Sequence, residues 1–142
     1  MSGKKRVLFV CSANTCRSPA AEAILREYGS DRYDVGSAGL FAREGDTMMD
    51  RVASALADLF GHPVASGDYL SKRLNGEMMI FYDEIVAVSE GYASMIRAVF
   101  PECAEKVTAF EEGISDFSTL SDDALAAAVV RLRGQIAARF GV

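Results

Sequence analysis

At 142 residues the chain has the size of a single domain, 1–142, with enough length to bury a core. Half of its residues are apolar and a quarter are charged, the balance of a soluble globular protein. A formal charge of −5 excludes the broad positive field that nucleic acids and anionic membranes require, so any anionic ligand must be captured locally.

The first element is Arg6-Val7-Leu8-Phe9-Val10, β-branched and aromatic enough for a buried strand. It runs into the octapeptide Cys11-Ser12-Ala13-Asn14-Thr15-Cys16-Arg17-Ser18, and Pro19 follows as a helix-start signal. Ala21, Ile24, Leu25 and Tyr28 then recur at helical spacing and predict an amphipathic helix. Tyr33 to Gly36 predicts a weaker strand that leads into Ser37-Ala38-Gly39. Met49, Val52, Ala53, Leu56 and Phe60 form a second helical stripe, closed by Gly61 and Pro63. A short helix is expected around Tyr69 to Leu74. Glu84 to Ser89 reads as a second core strand, followed by a helix from about Gly91 to Phe100 that stops at Pro101. Val107 to Phe110 predicts a fourth short strand. Leu125, Val129, Leu132, Ile136 and Phe140 keep one face of a last helix, with Ser121 as its N-cap and Asp122 and Asp123 in its first turn. This alternation implies an α/β three-layer sandwich: a parallel sheet of about four strands, helices on both faces, right-handed crossovers. Ligands of such sheets bind at the carboxyl ends of the strands, where Cys11 stands.

The octapeptide places a sulfur nucleophile and a guanidinium around one short turn. A thiolate attacks well, and an arginine fork grips phosphate oxygens through paired charge-assisted hydrogen bonds. Five residues between Cys11 and Arg17 let the backbone curl so that both face one centre. The loop amides would converge on an anion at a helix N-terminus. That is a site for attacking phosphorus.

These residues resemble the low-molecular-weight protein phosphatase family, whose signature is C-x(4)-C-R-S with asparagine fourth and proline usually following. Cys11, Asn14, Cys16, Arg17, Ser18 and Pro19 carry the match. It continues through the Ser37-Ala38-Gly39 turn, the apolar strand near Asp83 and an acidic residue in a late loop, so nearly the whole chain is covered. The resemblance implies phosphotyrosine hydrolysis through a cysteinyl-phosphate on Cys11. Arg17 and the amides of Ser12, Ala13, Asn14, Thr15, Cys16 and Arg17 would hold the phosphoryl oxygens, and the Ser18 hydroxyl would support the thiolate. Asp116 would protonate the leaving group and then activate water, with Phe117 walling the pocket. Ser37 would hydrogen-bond Asn14, although by itself it reads equally as a turn serine. No metal or other cofactor is implied. The expected partner is a phosphorylated protein, with phosphate, sulfate or vanadate binding the same loop.

Thr15, the run Ser37-Ala38-Gly39-Leu40-Phe41 and the phenylalanine after Asp116 are similar to the protein-arginine phosphatase subgroup, which makes phosphoarginine the alternative substrate. A thioredoxin-coupled arsenate reductase shares the fold and loop, but needs a downstream cysteine pair where this chain has Cys103 alone. A non-catalytic phosphate-binding relative is a further alternative, since Asp116 lacks the family's following proline. Ala13 replaces the usual glycine, and the histidine often found ahead of the segment matching Ser71 to Leu74 is absent, with Tyr69 near that place. Glu111, Glu112, Asp122 and Asp123 are rival acids. Cys16 could trap an oxidised Cys11 as a disulfide, or simply pack the loop. Zinc on Cys11 and Cys16 lacks partners, since His62 and Cys103 are scattered and Arg17 would repel a cation.

No apolar run approaches the roughly 20 residues of a membrane span. The basic start, Met1 to Arg6, leads into an apolar segment only a strand long, so a secretory leader is not expected. Three cysteines make no disulfide framework, which points to a reducing cytoplasm, and a monomer is the default for this size.

Overall fold

Parity along the opening strand sets up the layers. In the computed structural model, which describes residues 3–142, β1 (Lys5–Cys11) is flanked by β2 (Tyr33–Gly39) and β3 (Glu84–Ala87), with β4 (Val107–Ala109) at the far edge. Met1 and Ser2 of the basic start lie outside the described residues. All three pairings are parallel. Val7, Phe9 and Cys11 face one core, covered by α1 (Arg17–Gly29), α2 (Asp50–Phe60) and α5 (Asp122–Phe140). Leu8 and Val10 face the other, covered by α3 (Gly76–Phe81) and α4 (Glu90–Val99). The three-layer α/β sandwich is therefore present, with four parallel strands in the order β2-β1-β3-β4. Because consecutive side chains point to opposite faces, β1 reads as an unbroken apolar run: it is buried on both.

Phe9 anchors the first core. Its ring stacks on Phe110 and meets the edge of Phe140, each at 5.8 Å between centroids. The helix boundaries follow their caps. Ser89 accepts from the Tyr92 amide and Ser121 from the Ala124 amide. Gly61, at φ 78°, closes α2 in the left-handed conformation that glycine adopts without strain.

Two expectations need correction. The segment Tyr69 to Leu74 is extended, and the helix comes later, at Gly76–Phe81, capped by Asn75. Leu70 bridges Thr47 and Arg73 bridges Gly39. Main-chain bonds from Gly39 to the Lys72 carbonyl (2.9 Å) and from Leu74 to the Gly39 carbonyl (3.0 Å) take the groups a helix would use. The apolar spacing of Leu70 and Leu74 imitates a helix, but tertiary partners override it. Helix α1 is also buried on more than one side: Ser18 to Leu25 are all buried, because α2 and α5 cover what the sheet does not.

Candidate active site

The turn leaving β1 closes into a cup at the carboxyl edge of the sheet. Asn14 makes the reversal: it has φ 60°, and is the one non-glycine among the described residues in the left-handed region. Asparagine tolerates that conformation better than most residues. Ala13 takes no such angle and faces solvent, so its Cβ fits where the family usually has glycine.

Asn14 is pinned on every side. Its Nδ2 donates to Ser18 Oγ (2.8 Å) and Ser37 Oγ (2.9 Å), and its Oδ1 accepts from the Lys72 amide (2.9 Å). Ser71 Oγ donates to its carbonyl at 2.8 Å. The extended segment 69–74 thus supplies the partners of the Asn14 carbonyl and Oδ1. Gly39 allows the close approach, since a Cβ there would lie 2.4 Å from the Ser12 carbonyl oxygen. Ser71, Lys72 and Gly39 were not singled out from sequence as site residues. The resemblance of Ser71 to Leu74 to a family segment was the available signal.

Cys11 is 3% exposed at the floor of the cup. Its Sγ lies 2.9 Å from Ser18 Oγ and accepts from the Asn14 amide at 3.3 Å. Helix α1 begins at Arg17 without a side-chain cap and without an acidic residue in its first turn, whereas α2, α3, α4 and α5 all carry one. Uncapped amides with no competing carboxylate are what an incoming anion needs.

Arg17 Nη1 donates to the Ile114 carbonyl (3.1 Å), and its guanidinium sits 5.5 Å from the Tyr92 ring centroid. That bond ties the cup to the loop bearing Asp116. Asp116 is exposed between buried Ile114 and Phe117, and its Oδ1 accepts from the Ser118 amide at 2.9 Å. This bond, with a smaller pull from Arg17, holds the Asp116 carboxyl below its ordinary range. Phe117 does not wall the mouth. It is 2% exposed and belongs to the first core, since it follows directly on the outward Asp116 and turns inward. Phe41 does stand open, 62% exposed, with its amide bonded to the Ser12 carbonyl (2.9 Å). Thr15 borders a hollow with Asp46, Thr47 and Asp50.

The rival residues lie elsewhere. Glu111 and Glu112 line a different hollow against α5, beside Arg131 and Gln135. Asp122 pairs with Arg51 in the first turn of α5. His62 is bonded to Glu27 at the surface. Cys16 points its thiol at Met49 Sδ (2.9 Å), and burial pushes its pKa up. Cys103 packs against the second core, while Cys11 and Cys16 belong to the first. No metal-binding cluster of histidine, cysteine or acidic residues occurs among the described residues. No helix among them is long and apolar enough to cross a membrane.

A buried sulfur contacted by a hydroxyl and a main-chain amide, at the carboxyl end of a parallel strand and just ahead of an arginine that opens a helix, is the local arrangement of a phosphate-handling loop. The chain belongs to the low molecular weight phosphotyrosine protein phosphatase family, whose model matches residues 6–123, and it is a phosphoprotein phosphatase of that cysteine-dependent kind. It is 34% identical over 110 residues to a protein-arginine-phosphatase of Geobacillus stearothermophilus, covering 78% of this chain and 72% of the relative. It is 30% identical over 106 residues to the low molecular weight protein-tyrosine-phosphatase Etp of Escherichia coli (strain K12), covering 73% and 68%. The solved low molecular weight protein tyrosine phosphatase from T. tengcongensis superposes with a TM-score of 0.88 at 27% identity, covering 97% of this chain and 99% of that one.

Proposed function

We propose that residues 1–142 act as one phosphatase domain that hydrolyses phosphotyrosine in proteins by two in-line transfers at Cys11. In the first step the Cys11 sulfur forms a bond to phosphorus as the ester P–O bond breaks, and Asp116 gives its proton to the leaving oxygen. In the second, water adds to phosphorus, the S–P bond breaks, and Asp116 takes the water's proton. Arg17 and the loop amides from Ser12 to Arg17 receive the charge that spreads over the equatorial oxygens. Ser18 O–H and the Asn14 amide support the sulfur when it leaves as thiolate. The cup binds phosphate, sulfate or vanadate by the same donors, acts without a metal, and works as a monomer in a reducing cytoplasm.

The observation that carries this reading is the pair of contacts on Cys11 Sγ, the Ser18 hydroxyl at 2.9 Å and the Asn14 amide, which donates at 3.3 Å, in a loop whose helix has no acidic residue in its first turn. Hydrolysis of an aryl phosphate should be insensitive to EDTA, inhibited by vanadate and abolished in Cys11→Ser. EDTA-sensitive turnover that survives Cys11→Ser would reject the mechanism.

Phosphoarginine is the second reading, favoured by Thr15 and by its neighbours Asp46 and Asp50, whose charge suits a guanidinium beside the phosphoryl group. The first transfer would then break a P–N bond. Rates on matched phosphotyrosine and phosphoarginine peptides, for wild type and Thr15→Ile, separate the two. A Thr15→Ile change that lowers phosphoarginine turnover alone selects the second reading.

A further inference from the structure

Arg17 is held in place without a counter-charge. Among the described residues no carboxylate makes an ion pair with it, whereas Arg26, Arg51, Arg97 and Arg139 each have one. The groups that hold it instead are neutral. Its Nη1 donates to the Ile114 carbonyl at 3.1 Å, and its guanidinium carbon lies over the Tyr92 ring, 5.5 Å from the centroid.

Tyr92 reaches Arg17 because of the strand order. β3 pairs with β1, and the Val88 amide, just past β3, donates to the Val10 carbonyl at 3.0 Å. The carboxyl ends of the two strands therefore lie side by side, and the chain leaving β3 turns into α4 next to the cup. Ser89 Oγ accepts the Tyr92 amide at 3.4 Å, which fixes Tyr92 in the first turn of that helix. The Tyr92 side chain is part-buried and packs against both cores, so it is gripped from the two sides of the sheet. What it offers Arg17 is the face of the ring.

The negative face of an aromatic ring attracts a cation without cancelling its charge. A carboxylate in that place would neutralise Arg17, and an incoming anion would have to displace it. A ring and a carbonyl dipole leave the whole charge available. A guanidinium has five N–H groups, so the bond to Ile114 leaves others free for phosphoryl oxygens. Holding the side chain in advance also lowers the ordering cost that a long, rotamer-rich arginine brings to binding. We propose that Tyr92 is a positioning residue that, together with the Ile114 carbonyl, keeps the Arg17 guanidinium charged and pre-ordered for an oxyanion. The inference rests on the phosphatase reading and deepens it.

The test has two readouts, and neither needs turnover. One is the affinity for inorganic phosphate, measured by calorimetry. The other is the NMR resonance of the Arg17 Nε–H proton, which an overlying ring shifts upfield. Tyr92→Phe keeps the ring and should preserve both. Tyr92→Leu should bind phosphate about fivefold more weakly, the weight of one part-exposed contact between a cation and a ring, and should lose the upfield shift. If Tyr92→Leu does not fold, a trifluorinated phenylalanine placed at position 92 decides, because it keeps the ring's shape and withdraws negative charge from its face. It should bind phosphate more weakly than Tyr92→Phe by about the same factor. Unchanged affinity in folded Tyr92→Leu would overturn the proposal, as would equal losses in Tyr92→Phe and Tyr92→Leu. So would a loss of affinity that leaves the Arg17 resonance where it was, or a fluorinated ring that binds as tightly as phenylalanine. A wild type that binds phosphate and responds as expected, yet hydrolyses no phosphoester, would sink the phosphatase reading and leave this one standing.

Discussion

Two carboxylates, Asp116 at the surface and Glu22 buried in α1, are tuned in opposite directions, each by its immediate surroundings. Asp116 sits at the surface with the Ser118 amide on its Oδ1, and its pKa is lowered. A general acid must be protonated to act, so turnover of poorly activated leaving groups should be greatest at acid pH and decline toward neutrality. Asp116→Asn should flatten that decline and slow poor leaving groups by about 10² or more, with little effect on activated aryl phosphates. Equal slowing across a leaving-group series would move the acid elsewhere. Glu22 is the opposite case, with its pKa raised by burial. The native state then holds its proton more tightly than the unfolded chain, so its contribution to stability is present below the unfolded pKa and lost as pH rises through the folded one. The melting temperature of wild type relative to Glu22→Gln should therefore decline from acid toward neutral pH, as calorimetry at a series of pH values would record. Cys11, Asn14 and Arg17 were legible as a group because they lie within one octapeptide, whereas Asp116 rested on the resemblance and on its apolar flanks. Nothing there pointed to Glu22 as a buried carboxylate, because its partner Ser37 arrives from β2.

Among the elements, those with a partner-independent signal were legible. The strand β1 follows from its apolar run, α2 and α5 from apolar periodicity with Gly61 and Ser121 as end signals, and α4 from its stop at Pro101, although its N-cap Ser89 had been read as the end of the preceding strand. Residues 69–74 were not, because their conformation is dictated by Gly39, Thr47 and Asn14, none of them close in sequence. Phe117 misled for a similar reason: whether an aromatic beside Asp116 faces substrate or core is settled by α5, which closes over it. The same long-range dependence makes Gly39 a point of vulnerability. Gly39→Ala should drive a Cβ into the Ser12 carbonyl, weaken vanadate binding and lower the melting temperature. A variant with unchanged vanadate affinity would show that the loop moves aside freely. By contrast, Ser121→Ala removes the N-cap of α5 far from the cup. It should reduce stability by about 1 kcal/mol in urea unfolding while leaving kcat/KM unaltered.

At the scale of the whole molecule, stability and chemistry are drawn from different regions of the same sheet. Phe9, locked between Phe110 and Phe140 in the first core, contributes to the fold alone. Phe9→Ala should lower the unfolding free energy by about 3–5 kcal/mol, and the folded fraction should keep its kcat on aryl phosphate. The rim around the cup follows another logic. Leu40 and Phe41 reach it through their amides, Met49 through its amide to the Thr15 carbonyl, and Ile114 through its carbonyl to Arg17. Fastenings made by main-chain atoms are blind to what each residue carries beyond its Cβ. Mutational drift at exposed Phe41, or at Thr47 in the hollow beside Thr15, can therefore change the loop's surroundings while its main-chain bonds stay in place. One inherited scaffold can in this way admit an aromatic phosphoester in one lineage and a phosphorylated guanidine in the next.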